Sequence, residues 1–172
     1  MQQYSSARSG EYFQIELYGN QESHILKDDS DFNYFLNLLN KYLLDNETVD
    51  LLAYCLNGGS IHMLLYQFSD GEIDLLLKNI CLDYDKYFFN KYDIKNVLDL
   101  GSCVITKTDT CLIMRASKNI HLLPEEWLDY PYSSIRSYLY DDTPDWLNKD
   151  HIVDLCGTTE NYFNFISRTV AK

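Results

Sequence analysis

Basic side chains are scarce in this sequence. Its 172 residues contain 14 Lys and Arg against 26 Asp and Glu, so the formal net charge at pH 7 is -12. This balance excludes a surface that attracts phosphate everywhere, because the long-range field of the protein repels polyanions. Any contact with nucleic acid must therefore be local.

Membrane-spanning and metal-cluster signals are also missing. No apolar run approaches the length needed to cross a bilayer, and the first residues lack the basic and apolar pattern of a signal peptide. The five cysteines are far apart and show no C-x-x-C spacing, which argues against a zinc or redox site. We expect a cytoplasmic protein with reduced thiols and no membrane contact.

The composition is otherwise that of a globular protein. Hydrophobic residues make up 46% of the chain and aromatic residues 15%, mostly tyrosine. We see no repeats and no low-complexity linker. The length predicts a single domain over residues 1–172, with a core at about 10–124 and a C-terminal extension at about 125–172.

Hydrophobic periodicity predicts the elements of the core. Alternation predicts a strand over 12–18 that ends at a Gly19-Asn20 turn, and helical spacing predicts a helix from Asp31 with Ser30 as its N-cap. Asn57-Gly58-Gly59 separates two apolar runs, as in a tight hairpin whose turn uses positive φ angles. The predicted ranges are 12–18, 31–43, 49–56, 60–66, 71–92 and 103–106, followed by a third helix that is capped by Thr108 or Asp109 and runs to about 122.

The order of these elements is strand, helix, strand, strand, helix, strand. This βαββαβ order is typical of an α+β fold, the ferredoxin-like antiparallel sheet with helices on one face. The third helix should lie on the other side of the last strand. The sequence of the extension predicts a turn-rich stretch followed by two short helices over about 150–155 and 161–168.

Several short motifs, in a fixed order, resemble one protein family. They are YGNQESHILKDDSDFNYFLNLL, AYCLNGGSIHMLL, YDKYFFNKY, NIHLLP and YPYSSIRSYL. Together they resemble the REP-associated tyrosine transposases, a branch of the single-tyrosine HUH transposases, from about Tyr12 to the C-terminus. The resemblance implies an HUH transposase-like fold and an ancestry in metal-dependent DNA strand transfer.

The resemblance also implies that the catalytic residues are degenerate. The family holds a divalent metal with two histidines that flank one hydrophobic residue, and Ser60 and His62 stand in their place. Its tyrosine nucleophile corresponds to Asn119, and a polar residue one turn later corresponds to Leu123. We expect no intact catalytic site, loss of the ancestral Mg or Mn site and no cofactor. His62 is the residual metal candidate, but a lone histidine on a sheet is more often a hydrogen-bonded structural residue.

We also expect weak contacts with nucleic acid, because basic residues of the family are replaced. Two arginines of the family are replaced, by Tyr18 and Ser102. Lys86, Lys91 and Lys95 could follow a DNA backbone, although aspartates lie among them and favour a solvated helix face.

Other candidate residues have structural interpretations that we favour. We expect His121 to be a packing or cap residue. We expect the acidic group at 28–31 to interact favourably with the dipole at a helix N-terminus. Tyr84, Tyr87 and Tyr92 could offer a replacement nucleophile or a stacking platform, but their spacing favours core packing.

Three functional hypotheses follow from these observations. The first is a domesticated or decaying transposase-like protein, a pseudoenzyme that binds single-stranded or hairpin DNA weakly. The second is an acidic protein-interaction or regulatory module with a protein partner. The third is a surviving enzyme that uses His62 and a relocated tyrosine. The charge of the sheet face that carries Ser60 and His62 should discriminate between the first two. The oligomeric state stays open.

Overall fold

The sheet and its helices follow the predicted order. The structure is a computed structural model that describes residues 10–19, 24–140 and 142–170. The core contains β1 (Glu11–Gly19), α1 (Asp29–Leu43), β2 (Val49–Asn57), β3 (Ser60–Gln67), α2 (Glu72–Tyr92), β4 (Leu98–Thr108), a 3-10 turn (Thr110–Leu112) and α3 (Ile113–His121). The extension contains α4 (Ile135–Leu139), α5 (Asp150–Cys156) and α6 (Thr159–Val170). No helix of the described residues is long and apolar enough to cross a membrane.

All strand pairs are antiparallel, and the strand order across the sheet is β2-β3-β1-β4. The two outer strands are joined to the inner ones by a hairpin and by helical crossovers, as in a ferredoxin-like sheet. The α+β fold class is therefore confirmed.

Two hydrophobic cores lie on opposite faces of the sheet. Phe13, Ile15 and Leu17 of β1 point to the first core, which is completed by α1 and α2. The second core contains Leu64 of β3 and the buried side chains of α3, α4, α5 and α6. α3 contacts β2 and β3, so it lies across that half of the sheet and not beside the last strand. Helix α3 and the helices of the extension therefore cover only part of this sheet face.

The first helix begins two residues earlier than the sequence indicates. Asp28, and not Ser30, is its N-cap: the Asp28 carboxylate accepts hydrogen bonds from the backbone N–H groups of Ser30 and Asp31. The Asp31 carboxylate accepts in turn from the Asp28 backbone N–H, which completes a capping box. A carboxylate satisfies the N–H groups of the first turn and its negative charge also favours the helix N-terminus.

Asp31 is buried and joins α1 to the end of α2. Its carboxylate accepts from Lys91 Nζ at 2.7 Å, Tyr87 Oη at 2.8 Å and Tyr92 Oη at 2.9 Å. The Lys27 N–H donates to it at 2.8 Å. Burial raises the pKa of Asp31, but these hydrogen bonds, from Lys91 above all, hold it below its ordinary value. Its stabilising contribution is therefore present above pH 3.8, the ordinary carboxyl value, and is lost as the pH falls through the folded pKa.

The β2–β3 hairpin turns over Gly58 and Gly59, but neither glycine has a positive φ, contrary to the sequence-based expectation. Gly58 instead lies against the 24–26 segment. A Cβ at this position would lie 2.8 Å from His24 Cδ2, and the Gly58 carbonyl accepts from the N–H groups of Ile25 and Leu26. A larger residue at Gly58 would therefore displace the exposed His24 ring.

Three other boundaries were wrong or incomplete. β4 begins at Leu98, five residues before the predicted start. Its first part bulges away from β1 between the pairs Leu17–Cys103 and Gly19–Leu98. The third helix starts at Ile113 after a 3-10 turn, and Asp109 makes no side-chain cap there. Helix α4 lies in the stretch predicted as turns. Asn20 of the Gly19-Asn20 turn lies outside the described residues.

The extension covers the outer edge of β2. The Ser134 N–H donates to the Tyr54 carbonyl, and the Asn148 N–H donates to the Leu51 carbonyl. His151 reinforces this contact with a hydrogen bond of 3.0 Å to Asp50. The extension thus supplies both backbone and side-chain partners to an edge strand.

We predict that Lys91→Met lowers the free energy of unfolding by about 3 kcal/mol, because it leaves the buried Asp31 carboxylate without its cation. Urea denaturation measures this change. Lys86→Met is the control, since Lys86 is 73% exposed and binds Asp83 at 3.4 Å. It should cost about 0.5 kcal/mol or less. Equal effects of the two substitutions would contradict the assigned role of Lys91.

Candidate functional site

One half of a sheet face is not covered by the helices of the extension. We call it the open sheet face, and it consists of Gln14, Glu16, Tyr18, Ser60, His62, Val104 and Thr106. These positions alternate with core residues along their strands, so strand geometry puts them on one side. Tyr18 and Val104 are exposed, at 39% and 45%. The face is therefore accessible to a ligand.

Ser60 and His62 lie side by side on this face. Ser60 Oγ and His62 Nε2 are 2.9 Å apart and share a hydrogen bond. Burial lowers the pKa of His62, and the Glu16 carboxylate opposes that shift. A partly buried imidazole with a hydroxyl partner is favoured in its neutral form. Period-two geometry on β3 thus brings the two positions together, as the sequence indicates.

Glu16 is the residue of this face that sequence reasoning missed. The register of β1 against β3 pairs Glu16 with His62 and Tyr18 with Ser60. Gln14 Nε2 donates to Glu16 at 3.2 Å, and the Tyr18 hydroxyl donates to the same carboxylate. Alternation along β1 already put Glu16 opposite the core side chains, but only the strand pairing shows that it lies beside His62.

The described polar groups of this face offer few ligands for a divalent ion. One imidazole and one carboxylate are available, and the His62 Nε2 is already bonded to Ser60. Within the described ranges, no three His, Cys, Asp or Glu side chains are grouped so as to hold a metal. Catalytic metal sites commonly use three protein ligands.

Asn119 lies near the C-terminal end of α3, and Leu123 lies just beyond that end. Both side chains are exposed, and Leu123 follows the helix end. Asn119 shares the exposed side of α3 with Arg115, one turn earlier, while Ala116 and Ile120 face the core. The residue that the family resemblance matches to the nucleophile is thus accessible, and its amide has no nucleophilic oxygen of the phenolate kind.

His121 is a buried structural residue. Its Nδ1 lies 2.8 Å from Tyr162 Oη on α6, and its Nε2 lies 2.8 Å from Ser134 Oγ, just before α4. Burial lowers the pKa of His121 to about 3. A neutral imidazole with one donor and one acceptor nitrogen fits this pair of hydroxyls. His121 therefore fastens α3 to two helices of the extension and is not available as a ligand.

The three lysines of the predicted nucleic-acid run are not equivalent. Lys91 Nζ is surrounded by Asp28, Asp31 and Ser30, at 2.7, 2.7 and 2.5 Å. Lys86 binds only the exposed end of Asp83, and Lys95 lies over the Phe89 ring at 4.9 Å. The charge of Lys91 is therefore compensated within the protein, while Lys86 and Lys95 are exposed.

We predict that His121 makes the protein sensitive to mild acid. Below about pH 6.5 the unfolded chain protonates this histidine and the folded protein does not. The free energy of unfolding should fall by about 1.4 kcal/mol per pH unit from about pH 6.5 towards pH 3. Urea denaturation between pH 7 and pH 5 measures the slope. His121→Gln should flatten it, and His24→Gln, at an exposed position, should not. An unchanged slope in His121→Gln would refute this assignment.

The fold has known counterparts. No protein-family model matches the chain, and no curated protein matches it. Among solved structures, a REP-associated tyrosine transposase bound to a REP hairpin is similar over 86% of this chain and 94% of its own, with 15% identity and a TM-score of 0.59. A bacterial tRNA(His) guanylyltransferase-like protein in complex with GTP aligns over 92% and 93% of the two chains, with 10% identity and a TM-score of 0.46. The chain therefore shares the fold of a REP-associated tyrosine transposase.

Proposed function

We propose that this is a transposase-like protein that has lost DNA strand cleavage. The observation that carries the proposal is the hydrogen bond between Ser60 Oγ and His62 Nε2. This bond engages one imidazole nitrogen of His62, and at Ser60 a neutral hydroxyl stands where the resemblance implies a second imidazole. A divalent ion would have to break this bond and would gain a weak ligand.

The positions on α3 support the same conclusion. A tyrosine transposase needs a phenolate to form the covalent bond to DNA and a metal to polarise the phosphate. Asn119 cannot supply the first, and Leu123 cannot help with the second. Since these groups act together, we propose that the protein is a pseudoenzyme and needs no Mg or Mn.

Binding of nucleic acid is the activity we propose to remain. The structural neighbour is bound to a hairpin, and this chain shares its fold over most of both chains. Lys86 and Lys95 are exposed cations at the end of α2 and could contact phosphate. With a net charge of -12 and few such contacts, binding to single-stranded or hairpin DNA is weak, and its salt dependence is as shallow as the small number of phosphate contacts implies.

A second function, recognition of a protein partner, is favoured by Glu16. This carboxylate stands at the centre of the open sheet face, where a nucleic-acid interface would need cations. Tyrosine and a single acid on an accessible face are suited to a basic protein surface. On this alternative, the transposase fold serves as an acidic interaction or regulatory module.

We predict that the natural chain forms no covalent phosphotyrosine adduct with labelled hairpin DNA in Mg²⁺ or Mn²⁺, and that Asn119→Tyr alone forms none. The combination of Ser60→His, Asn119→Tyr and Leu123→Asn is the smallest set that restores the missing metal-binding and nucleophilic groups, although the arginines replaced by Tyr18 and Ser102 stay absent. A denaturing gel detects the adduct. A shifted covalent band from the unmodified chain would overturn the loss of catalysis.

We predict that hairpin DNA binds with a dissociation constant in the micromolar range or weaker at low salt. If two phosphate contacts come from Lys86 and Lys95, the logarithm of the affinity should fall with the logarithm of the salt concentration with a slope of about -1.8 for contacts to the duplex stem and about -1.4 for contacts to single-stranded DNA. Fluorescence anisotropy measures both quantities. The double variant Lys86→Ala, Lys95→Ala should abolish binding, whereas Lys107→Ala, which removes a lysine paired with Glu11, should not. No binding by the natural chain would favour the protein-interaction function.

A further inference from the structure

The two edge strands of the sheet differ in their backbone hydrogen-bond partners. The outer edge of β2 receives backbone hydrogen bonds from the extension, through Ser134 and Asn148. β4 forms the opposite edge, and within the described part of the chain it pairs only with β1. Its outward N–H and C=O groups therefore face away from the sheet. An edge of this kind is a template for an added strand.

An apolar groove runs along the helix side of this edge. It has a volume of about 420 Å³ and lies between α2 and β4. Its walls are Leu75, Leu77, Leu100 and Ile105, with Asp74 and Lys78 at the rim. Leu75 is 53% exposed. A strand added to β4 would bury the apolar side chains of its helix-facing side in this groove.

On the other side of the edge, the nearest carboxylate is that of Glu16 on the neighbouring strand β1. Val104 and Thr106 are exposed on the open sheet face, and Val104 pairs with Glu16 of β1. A residue added opposite Val104 would lie two strand spacings, about 10 Å, from Glu16. A long basic side chain at that place would reach towards the carboxylate.

The charge of the whole chain selects between the two kinds of strand that could bind. A second copy would bring another net charge of -12 to the interface, and that repulsion opposes pairing of two copies. A basic segment of another protein meets attraction instead. From the groove, the free edge and Glu16, we propose that β4 binds an extended basic peptide segment of a partner protein as a fifth strand.

The regular part of the edge sets the length of this segment. β4 follows the register of β1 from Cys103 to Thr108, six residues, and bulges away before Cys103. Six residues span about 20 Å in a strand. The bound segment has apolar residues at alternate positions, facing the groove, and Lys or Arg at the positions between them. This inference identifies a surface for the protein-interaction function and is independent of the chemistry at His62.

The test uses the full chain and a synthetic probe. The probe is a fluorescein-labelled peptide of alternating valine and lysine, about seven residues long, which matches the span of the edge. Binding is followed by fluorescence anisotropy, and hydrogen exchange is measured for the amides of β4 and β2. We expect saturable binding and slower exchange in β4 alone, because only that edge gains hydrogen-bond partners.

Matched variants locate the interaction. Leu75→Lys removes an apolar wall and adds a like charge, and it should weaken binding at least tenfold. Leu155→Lys makes the same change on α5, where Leu155 is 50% exposed, and should leave the affinity unchanged. Glu16→Gln should weaken binding severalfold. A peptide in which valines are replaced by proline should not bind, since proline lacks the N–H of a ladder hydrogen bond.

Several results would overturn the proposal. They are no saturable binding of the valine-lysine peptide at millimolar concentration, equal binding by Leu75→Lys and Leu155→Lys, and equal binding of the proline peptide. A dimer in analytical ultracentrifugation that Leu75→Lys dissociates would also overturn it, because a second copy would then occupy the edge. None of these outcomes depends on the hairpin-binding assay, so the two functions fail separately.

Discussion

The register of β1 against β3 determines what each face of the sheet presents. β1 lies inside the sheet, between β3 and β4, and its alternating side chains set which face each neighbouring residue of both strands shares. Ile15 and Leu17 contribute to the core under α1 and α2, while Glu16 between them stands beside His62. A shift of one residue would bury the carboxylate and expose the core side chains, so the hydrophobic pattern fixes the pairing strongly. The chemistry of the open sheet face is thus a consequence of how the core is packed.

Residues on the inner side of α3 hold this helix in place. Buried His121 bonds to hydroxyls on both sides, and Ile113 and Ile120 pack into the second core. These contacts involve the inner side of the helix, whereas Asn119 lies on its exposed side. Substitution at the exposed side therefore leaves the packing intact, and the two sides of the helix can change independently.

The fold could be predicted from the sequence more completely than the site. Strong alternation and helical spacing gave the βαββαβ order, because burial on one face leaves a regular pattern. The bulged start of β4 was missed because a bulge breaks that alternation, and Asp28 was missed as the N-cap because three acidic or hydroxyl residues in a row can all serve. The pairing of Ser60 with His62 followed from period two within one strand. The position of Glu16 required a register across strands, which local sequence does not contain.

The central position of β1 also bears on the order of folding. β2 and β3 are joined by a two-residue turn and can pair early, whereas β1 must find β3 and β4 across about 45 and 90 residues of chain. Until β1 inserts, β3 has an unpaired edge rich in apolar residues, and β4 has no partner strand at all. A chain in which β1 is unpaired therefore exposes strand edges on both β3 and β4, and pairing of the first strand closes both at once.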